Sequence, residues 1–193
     1  MATSFSDDAD RVARFSRAAV EGWKAGGVQP IVGHFPGQGA ASQDPGAGPG
    51  TVGLSLDEMR QRDLKPFAAV ADTAPAVEMS NAIYVAFDGV TPASILPDAH
   101  RLLRRMGFEG AAVSGDLVAA TATTGTSVGQ AAVDALRAGA DLLYVPGDAG
   151  NQEEAYRAVL RAVQRRRISR ERLAEALMRV SALKRAALAQ PQA

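Results

Sequence analysis

Residues 33–53 read GHFPGQGAASQDPGAGPGTVG, and this stretch decides how the rest of the sequence is interpreted. It follows Val28–Val32, a short apolar run that predicts a buried strand of a parallel sheet. A loop of about 20 residues is unusually long for a compact domain, and such loops are usually functional or disordered. In alternating β/α proteins, the loops after the C-terminal ends of strands carry the active site. We therefore expect a functional site here, with a flexible glycine linker as the alternative.

Helices and strands alternate on both sides of this loop. Apolar residues at helical spacing predict a first helix from Asp8 to about Ala25. The further predicted strands are Pro75–Ser80, Gly110–Ser114 and Asp141–Val145. The further predicted helices are Leu56–Val70 with a break near Pro66, Ser94–Met106, Val128–Ala138, Asn151–Arg165 and Ser169–Leu188. This order predicts an α/β fold with a parallel sheet and right-handed crossover connections.

Several side chains and one segment receive specific predictions. Trp23 belongs to the apolar stripe of the first helix and is expected in the core, whereas His100 is expected on a helix surface. Thr121–Ser127 is predicted to be a loop. A basic patch near the joint of the last two helices is interpreted as a solvated corner, with an anionic partner as the alternative. Its members are Arg161, Arg165, Arg166, Arg167, Arg170 and Arg172.

Composition excludes several classes of function. The chain has 193 residues, 21 Lys+Arg and 21 Asp+Glu, so charge gives no reason to expect nucleic acid or a membrane as partner. It has no cysteine, which excludes disulfides, thiolate metal sites and cysteine nucleophiles. The polar, acidic start MATSFSDDAD is unlike a secretory signal and predicts a cytoplasmic location. Two histidines and scattered carboxylates form no metal-ligand cluster, so no metal or cofactor is expected.

Two motifs resemble those of a known family. His34-Phe35-Pro36-Gly37-x-Gly39 is similar to the KHFPGHG signature of family 3 glycoside hydrolases, in particular the β-N-acetylhexosaminidase branch. Ala111–Leu117, AAVSGDL, resembles the family's strand that ends in Ser-Asp-Asp-Leu. The resemblance covers about residues 5–184 of a chain that we predict to form a single domain over residues 1–193.

The resemblance implies a parallel (βα)4 half of a TIM-type barrel, the C-terminal half, with an extra N-terminal helix and a C-terminal helix pair. Four strands are half of the eight that close such a barrel. Unpaired edge strands favour association with other chains. We therefore expect a homodimer, or pairing with another half-barrel.

The resemblance also implies where catalytic groups would stand. A retaining glycosidase needs a nucleophilic carboxylate about 5–5.5 Å from a proton donor. The implied nucleophile position holds Gly115, which has no side chain, and the implied Asp-x-His dyad reads Asp44-Pro45-Gly46, without the imidazole. Asp116 and Asp44 remain as candidate catalytic residues. For Asp116 the alternative is a solvated or helix-capping role.

Substrate contacts are implied for three further residues, His34, Gln38 and Asn81. The family's lysine before the motif histidine is Gly33 here, and its second histidine is Gln38. The sequence thus resembles an enzyme that cleaves terminal N-acetyl-β-D-glucosaminides, with lost or residual activity. A non-catalytic saccharide-binding or regulatory protein, and a fragment that needs a second half-barrel, are the alternatives.

Overall fold

A computed structural model describes residues 5–189 of the chain. The strands are β1 (Ile31–Phe35), β2 (Thr51–Val52), β3 (Ala76–Met79), β4 (Ile83–Tyr84), β5 (Ala111–Asp116) and β6 (Leu142–Tyr144). The helices are α1 (Ala9–Ala25), α2 (Leu56–Gln61), α3 (Leu64–Val70), α4 (Pro97–Arg105), α5 (Leu117–Thr124), α6 (Val128–Ala138), α7 (Ala149–Gln164) and α8 (Arg170–Leu188). A single 3₁₀ turn, Ala93–Ile95, precedes α4.

Four strands form a parallel sheet in the order β1-β3-β5-β6. The predicted α/β half-barrel, with one helix before it and a helix pair after it, is therefore confirmed. The first strand begins at Ile31 rather than Val28, because Val28 still belongs to the turn that ends α1 and donates its backbone N–H to Trp23. A second parallel pair, β2 with β4, was not predicted, since strands of two residues carry no periodic signal.

The outer face of the sheet packs against helices. Val77, Met79 and Ala112 lie in one buried cluster with side chains of α1, α3 and α4. Val20 is the buried residue of α1, whereas Trp23 is exposed, so the predicted core position of Trp23 was wrong. Helix α1 packs mainly against α3. Strand β1 is an edge of the sheet and has no further strand beside it among residues 5–189.

The inner face of the sheet carries Ala76, Ala111 and Val113, and Leu183 of α8 packs against them. On the edge strands, Ile31 pairs with Ala76 and Leu142 pairs with Val113, so both also belong to this face. Their side chains are 52% and 37% exposed, respectively. The inner face is thus apolar and only partly covered.

Helix α8 is held beneath the sheet by one buried carboxylate. Asp141 stands before β6, and its side chain has no exposed surface. Its Oδ2 accepts hydrogen bonds from Arg104 of α4 at 2.7 Å and from the backbone N–H of Ala112 at 3.0 Å. Its Oδ1 accepts hydrogen bonds from Arg172 at 2.6 Å and Arg179 at 3.3 Å, both on α8. The carboxylate therefore joins β5, β6, α4 and α8.

Arg172 was predicted to lie in a solvated patch, and this prediction is wrong. It is largely buried because its guanidinium pairs with Asp141 and also donates to three carbonyl groups after α6 and at its end. His100 was likewise predicted at the surface and is buried. Its Nε2 lies 3.1 Å from the carbonyl oxygen of Ser94, and burial lowers the pKa of the imidazole to about 4.

The segment predicted as a loop at Thr121–Ser127 is helical as far as Thr124. Threonine disfavours helices partly because its hydroxyl competes for backbone groups. Here the hydroxyls of Thr121 and Thr124 donate to the carbonyls of Val118 and Ala120 within the helix. The helix ends at Gly125, whose φ of 65° is left-handed.

We predict that Asp141→Asn lowers the free energy of unfolding by about 3 kcal/mol or more, because it leaves three arginines around an uncharged group. Urea denaturation measures the change. Asp134→Asn is the matched control, since Asp134 pairs with Arg137 at 3.7 Å on a more exposed surface and should cost no more than about 0.5 kcal/mol. Equal losses in both variants would contradict the structural role given to Asp141.

Candidate functional site

The C-terminal ends of β1, β3 and β5 lie side by side and bring the predicted polar residues to one edge of the sheet. His34 lies near the end of β1, Asn81 follows β3, and Asp116 ends β5. Because these strands are parallel neighbours, the groups lie near one another despite their separation in sequence.

His34 lies where β1 departs from regular pairing. The register between β1 and β3 shifts between Val32 and Phe35, and the Gly33–His34 and Phe35–Pro36 peptide bonds are cis. The imidazole Nε2 lies 3.5 Å from Oε1 of Glu78 on β3. Glu78 raises the pKa of His34, burial opposes this effect, and the charge of Asp44 adds to the increase. His34 is therefore held in its protonated form to higher pH than an ordinary histidine.

The long loop makes hydrogen bonds within itself and to Ser80 and Tyr84, which lie outside it. Tyr84 donates its hydroxyl to the carbonyl of Gly37 at 2.8 Å, and the Gln38 amide donates to the Ser80 hydroxyl at 2.8 Å. Farther along, the amide of Gln43 donates to the carbonyl of Pro49 at 2.9 Å. These contacts hold the loop against the strand ends, and the Gln38 amide nitrogen is already used in one of them.

Asp44 projects from the exposed part of this loop. Its Oδ1 accepts a hydrogen bond from the backbone N–H of Gly46 at 2.9 Å, which makes a local turn. Gly46 stands where the family resemblance implies the dyad histidine. The carboxylate is near enough to act on His34 electrostatically but is exposed to solvent.

Asn81 fills the space beside Gly115. Its Nδ2 donates to the carbonyl of Asp116 at 2.7 Å, and its Oδ1 accepts from the hydroxyl of Ser94 at 2.6 Å. A Cβ added at Gly115 would lie 2.6 Å from this Oδ1 and 2.8 Å from the carbonyl oxygen of Met79. Position 115 thus has neither a side chain nor room for one.

Asp116 caps a helix. Its Oδ1 accepts hydrogen bonds from the backbone N–H groups of Val118 at 2.8 Å and Ala119 at 2.9 Å, at the start of α5. The structure therefore shows Oδ1 of Asp116 in the predicted helix-capping role. A catalytic role for Asp116 stays a prediction.

Sequence reasoning missed two carboxylates near the site. Glu78 was available as a signal, because one charged residue interrupts the otherwise apolar strand Ala76–Met79. Asp63 lies beneath the loop. A Cβ added at Gly37 would stand 2.7 Å from the Cβ of Asp63. Within the described part of the chain its Oδ2 is buried without a hydrogen-bond partner, and burial raises the pKa of Asp63. No local pattern marks Asp63, because its position depends on how the loop folds back.

Within residues 5–189, no group of three or more histidine and acidic residues is arranged to hold a metal ion. Over the same residues, no helix combines the length and apolar character needed to cross a membrane.

Comparison with known proteins decides the family. The family model described as the glycosyl hydrolase family 3 N-terminal domain matches residues 1–183. The chain belongs to glycosyl hydrolase family 3. The family 3 domain is 36% identical to a β-hexosaminidase from Xylella fastidiosa (strain M23) over 148 residues, which are 74% of this chain and 43% of that protein.

Solved structures give the same assignment. A family 3 β-N-acetylglucosaminidase from Paenibacillus sp. str. FPU-7 is 33% identical, with a TM-score of 0.91 over 98% of this chain and 37% of its own. A β-N-acetylhexosaminidase from Beutenbergia cavernae DSM 12333 is 29% identical, with a TM-score of 0.85 over 94% of this chain and 54% of its own. The family 3 domain described here therefore spans roughly half, or less, of the length of these relatives.

We predict that Gly115→Ala lowers the free energy of unfolding by about 1–3 kcal/mol, because its Cβ would overlap Asn81 and the Met79 carbonyl. Thermal or urea unfolding measures the loss. Gly53→Ala is the control, since nothing lies within 4 Å of a Cβ there, and it should change stability by no more than about 0.5 kcal/mol. A Gly115→Ala protein as stable as the Gly53→Ala protein would show that position 115 has space for a side chain.

Proposed function

We propose that this family 3 domain binds terminal N-acetyl-β-D-glucosaminides and has lost hydrolytic activity or retains a residual level of it. The observation that carries the proposal is the state of position 115, where the implied nucleophile is a glycine and Asn81 occupies the adjacent space. The substrate class is supported by the relatives, which are named β-hexosaminidase, β-N-acetylglucosaminidase and β-N-acetylhexosaminidase.

The implied acid/base dyad also lacks one of its two groups. Asp44 is retained, but Gly46 supplies no imidazole to work with it. A carboxylate acts as a general acid near neutral pH when burial keeps it protonated. Asp44 is exposed and already accepts a hydrogen bond from Gly46, so its surroundings do not favour that role.

Residual hydrolysis would have to use Asp116 as a displaced nucleophile. That carboxylate would need to leave two backbone N–H groups at the start of α5. Losing a helix cap costs about 1 kcal/mol, which is small enough for rare turnover but opposes it. Saccharide binding without turnover, including a regulatory role, is the alternative favoured by the capping geometry.

We predict that release of a fluorogenic aglycone from an N-acetyl-β-D-glucosaminide is at least about 10³-fold slower than by a full-length relative, because nucleophile and dyad histidine are both absent. The assay is run at high protein concentration on the wild type, Asp116→Ala, and Gly46→His/Gly115→Asp. The double substitution should stay inactive, because Asn81 blocks the new side chain.

Two outcomes would contradict this account. Fast wild-type turnover that disappears in Asp116→Ala would make Asp116 the nucleophile. A flat calorimetric titration with millimolar N-acetylglucosamine would count against saccharide binding.

We further propose that the sheet pairs with a second half-barrel, either another copy or a partner of the same architecture. Edge strands β1 and β6 expose Ile31, Leu142 and Tyr144. Next to β6, an apolar groove of about 480 Å³ is lined by Leu143, Tyr144, Val145, Gln152, Ala155, Tyr156 and Val159. Paired parallel edges would bury these groups.

We predict that sedimentation velocity finds a dimer, and that Leu142→Lys shifts it toward monomer, because the charge would lie in the paired inner face. Val90→Lys is the control, since Val90 is exposed between β4 and the 3₁₀ turn and belongs to neither edge strand. A wild-type monomer that melts cooperatively would argue against pairing with another copy.

A further inference from the structure

The carboxylate of Glu78 lies on the inner face of the sheet, close to the predicted saccharide site. Side chains alternate between the two faces of a strand. Val77 and Met79 point to the outer core, and Ala76 points to the inner face, so Glu78 shares the face of Ala76. Its side chain is 27% exposed, which leaves it accessible to a ligand.

The contact between Glu78 and His34 depends on three positions, 33, 34 and 78. The Nε2 of His34 lies 3.5 Å from Oε1 of Glu78, and the imidazole is 47% exposed. A Cβ added at Gly33 would lie 3.3 Å from the Cβ of Glu78 and 3.5 Å from its Oε2. Glycine at position 33 therefore leaves the space into which the Glu78 carboxylate extends toward His34.

Only one oxygen of Glu78 is engaged by His34. Among residues 5–189, the His34–Glu78 contact joins Nε2 and Oε1, and no hydrogen bond is formed by Oε2 of Glu78 or Nδ1 of His34. Both atoms belong to partly exposed side chains. The pair therefore retains an acceptor on Glu78 and, while the imidazole is protonated, a donor on His34.

The electrostatics of the pair favour a neutral polar ligand. Glu78 and Asp44 are the charged groups that act on the His34 ring within the described part of the chain, and both raise its pKa. An imidazolium beside a carboxylate carries no net charge, so the pair attracts neither anions nor cations strongly. A hydroxyl group both donates and accepts hydrogen bonds, so two adjacent hydroxyls match a donor next to an acceptor.

We propose that Glu78 is a further saccharide-binding residue: its carboxylate accepts from a hydroxyl adjacent to the one that the family resemblance already assigns to His34, which completes a subsite for two adjacent hydroxyls, and it also orients the His34 ring. The ligand class rests on the proposed function of the domain. Hydrogen bonds with a charged partner are stronger than neutral ones, so the pair gives affinity as well as orientation.

The first experiment follows histidine ring signals by NMR as pH is varied. The chain has two histidines, and buried His100 serves as an internal control because Glu78 is not among the groups that act on it. The titration midpoint of His34 should lie above 6.5 in the wild type and should fall in Glu78→Gln. Glu109→Gln, a substitution on an exposed residue, should leave the midpoint unchanged. An unchanged midpoint in Glu78→Gln would overturn the pair.

The second experiment titrates N-acetylglucosamine, and separately glucose, while the same His34 signal is observed. Binding should move this signal, and Glu78→Gln should raise the dissociation constant about tenfold, as expected for loss of a charge-assisted hydrogen bond. Glu78→Asp should restore part of the affinity, and Glu109→Gln should match the wild type. Equal melting temperatures exclude a folding defect.

The outcomes separate the two proposals. Glucose that moves the His34 signal, with no response to N-acetylglucosamine, would keep the subsite and overturn the proposed substrate class. Sugar binding that moves other signals but leaves His34 unchanged would keep saccharide binding and overturn the subsite. No response to either sugar would overturn both.

Discussion

The buried carboxylate of Asp141 is the constraint on which the arrangement of this molecule depends. A buried charge is costly unless it is paired, and two helices supply three arginines for it. Because Arg104 belongs to α4 and the other two belong to α8, one side chain sets the start of β6 against β5 and holds α8 under the inner face. The candidate site lies at the opposite ends of the same strands, so its position depends on this contact.

The order of helices and strands could be predicted because it follows from local signals such as helical periodicity, glycine stops and the capping box at Ser55. The burial of single side chains could not, because it depends on which elements meet. Trp23 sits on the apolar stripe of α1 but is exposed, whereas His100 is buried by the packing of α4 and α6. The helix cap that Asp116 makes was one of the predicted alternatives, whereas the turn that Asp44 makes with Gly46 was not predicted.

The candidate site is organised by β3 and the residues that follow it. Gly33 on β1 and Gly115 on β5 flank this segment. Each has no Cβ at a point that a side chain of this segment approaches closely. Glu78 extends toward the first glycine, and Asn81 fills the space beside the second. The two glycines are therefore parts of the packing, and the polar groups between them form an ordered arrangement that differs from the one implied by the family motifs.

The contact between Asn81 and Gly115 has a consequence for substitutions at this site. A carboxylate introduced at position 115 meets both a side-chain oxygen and the Met79 carbonyl, so its effect depends on what stands at position 81. Substitutions in contact are rarely additive. Positions 81 and 115 therefore act as one unit, and a side chain at position 115 is expected to be accommodated only together with a change at position 81.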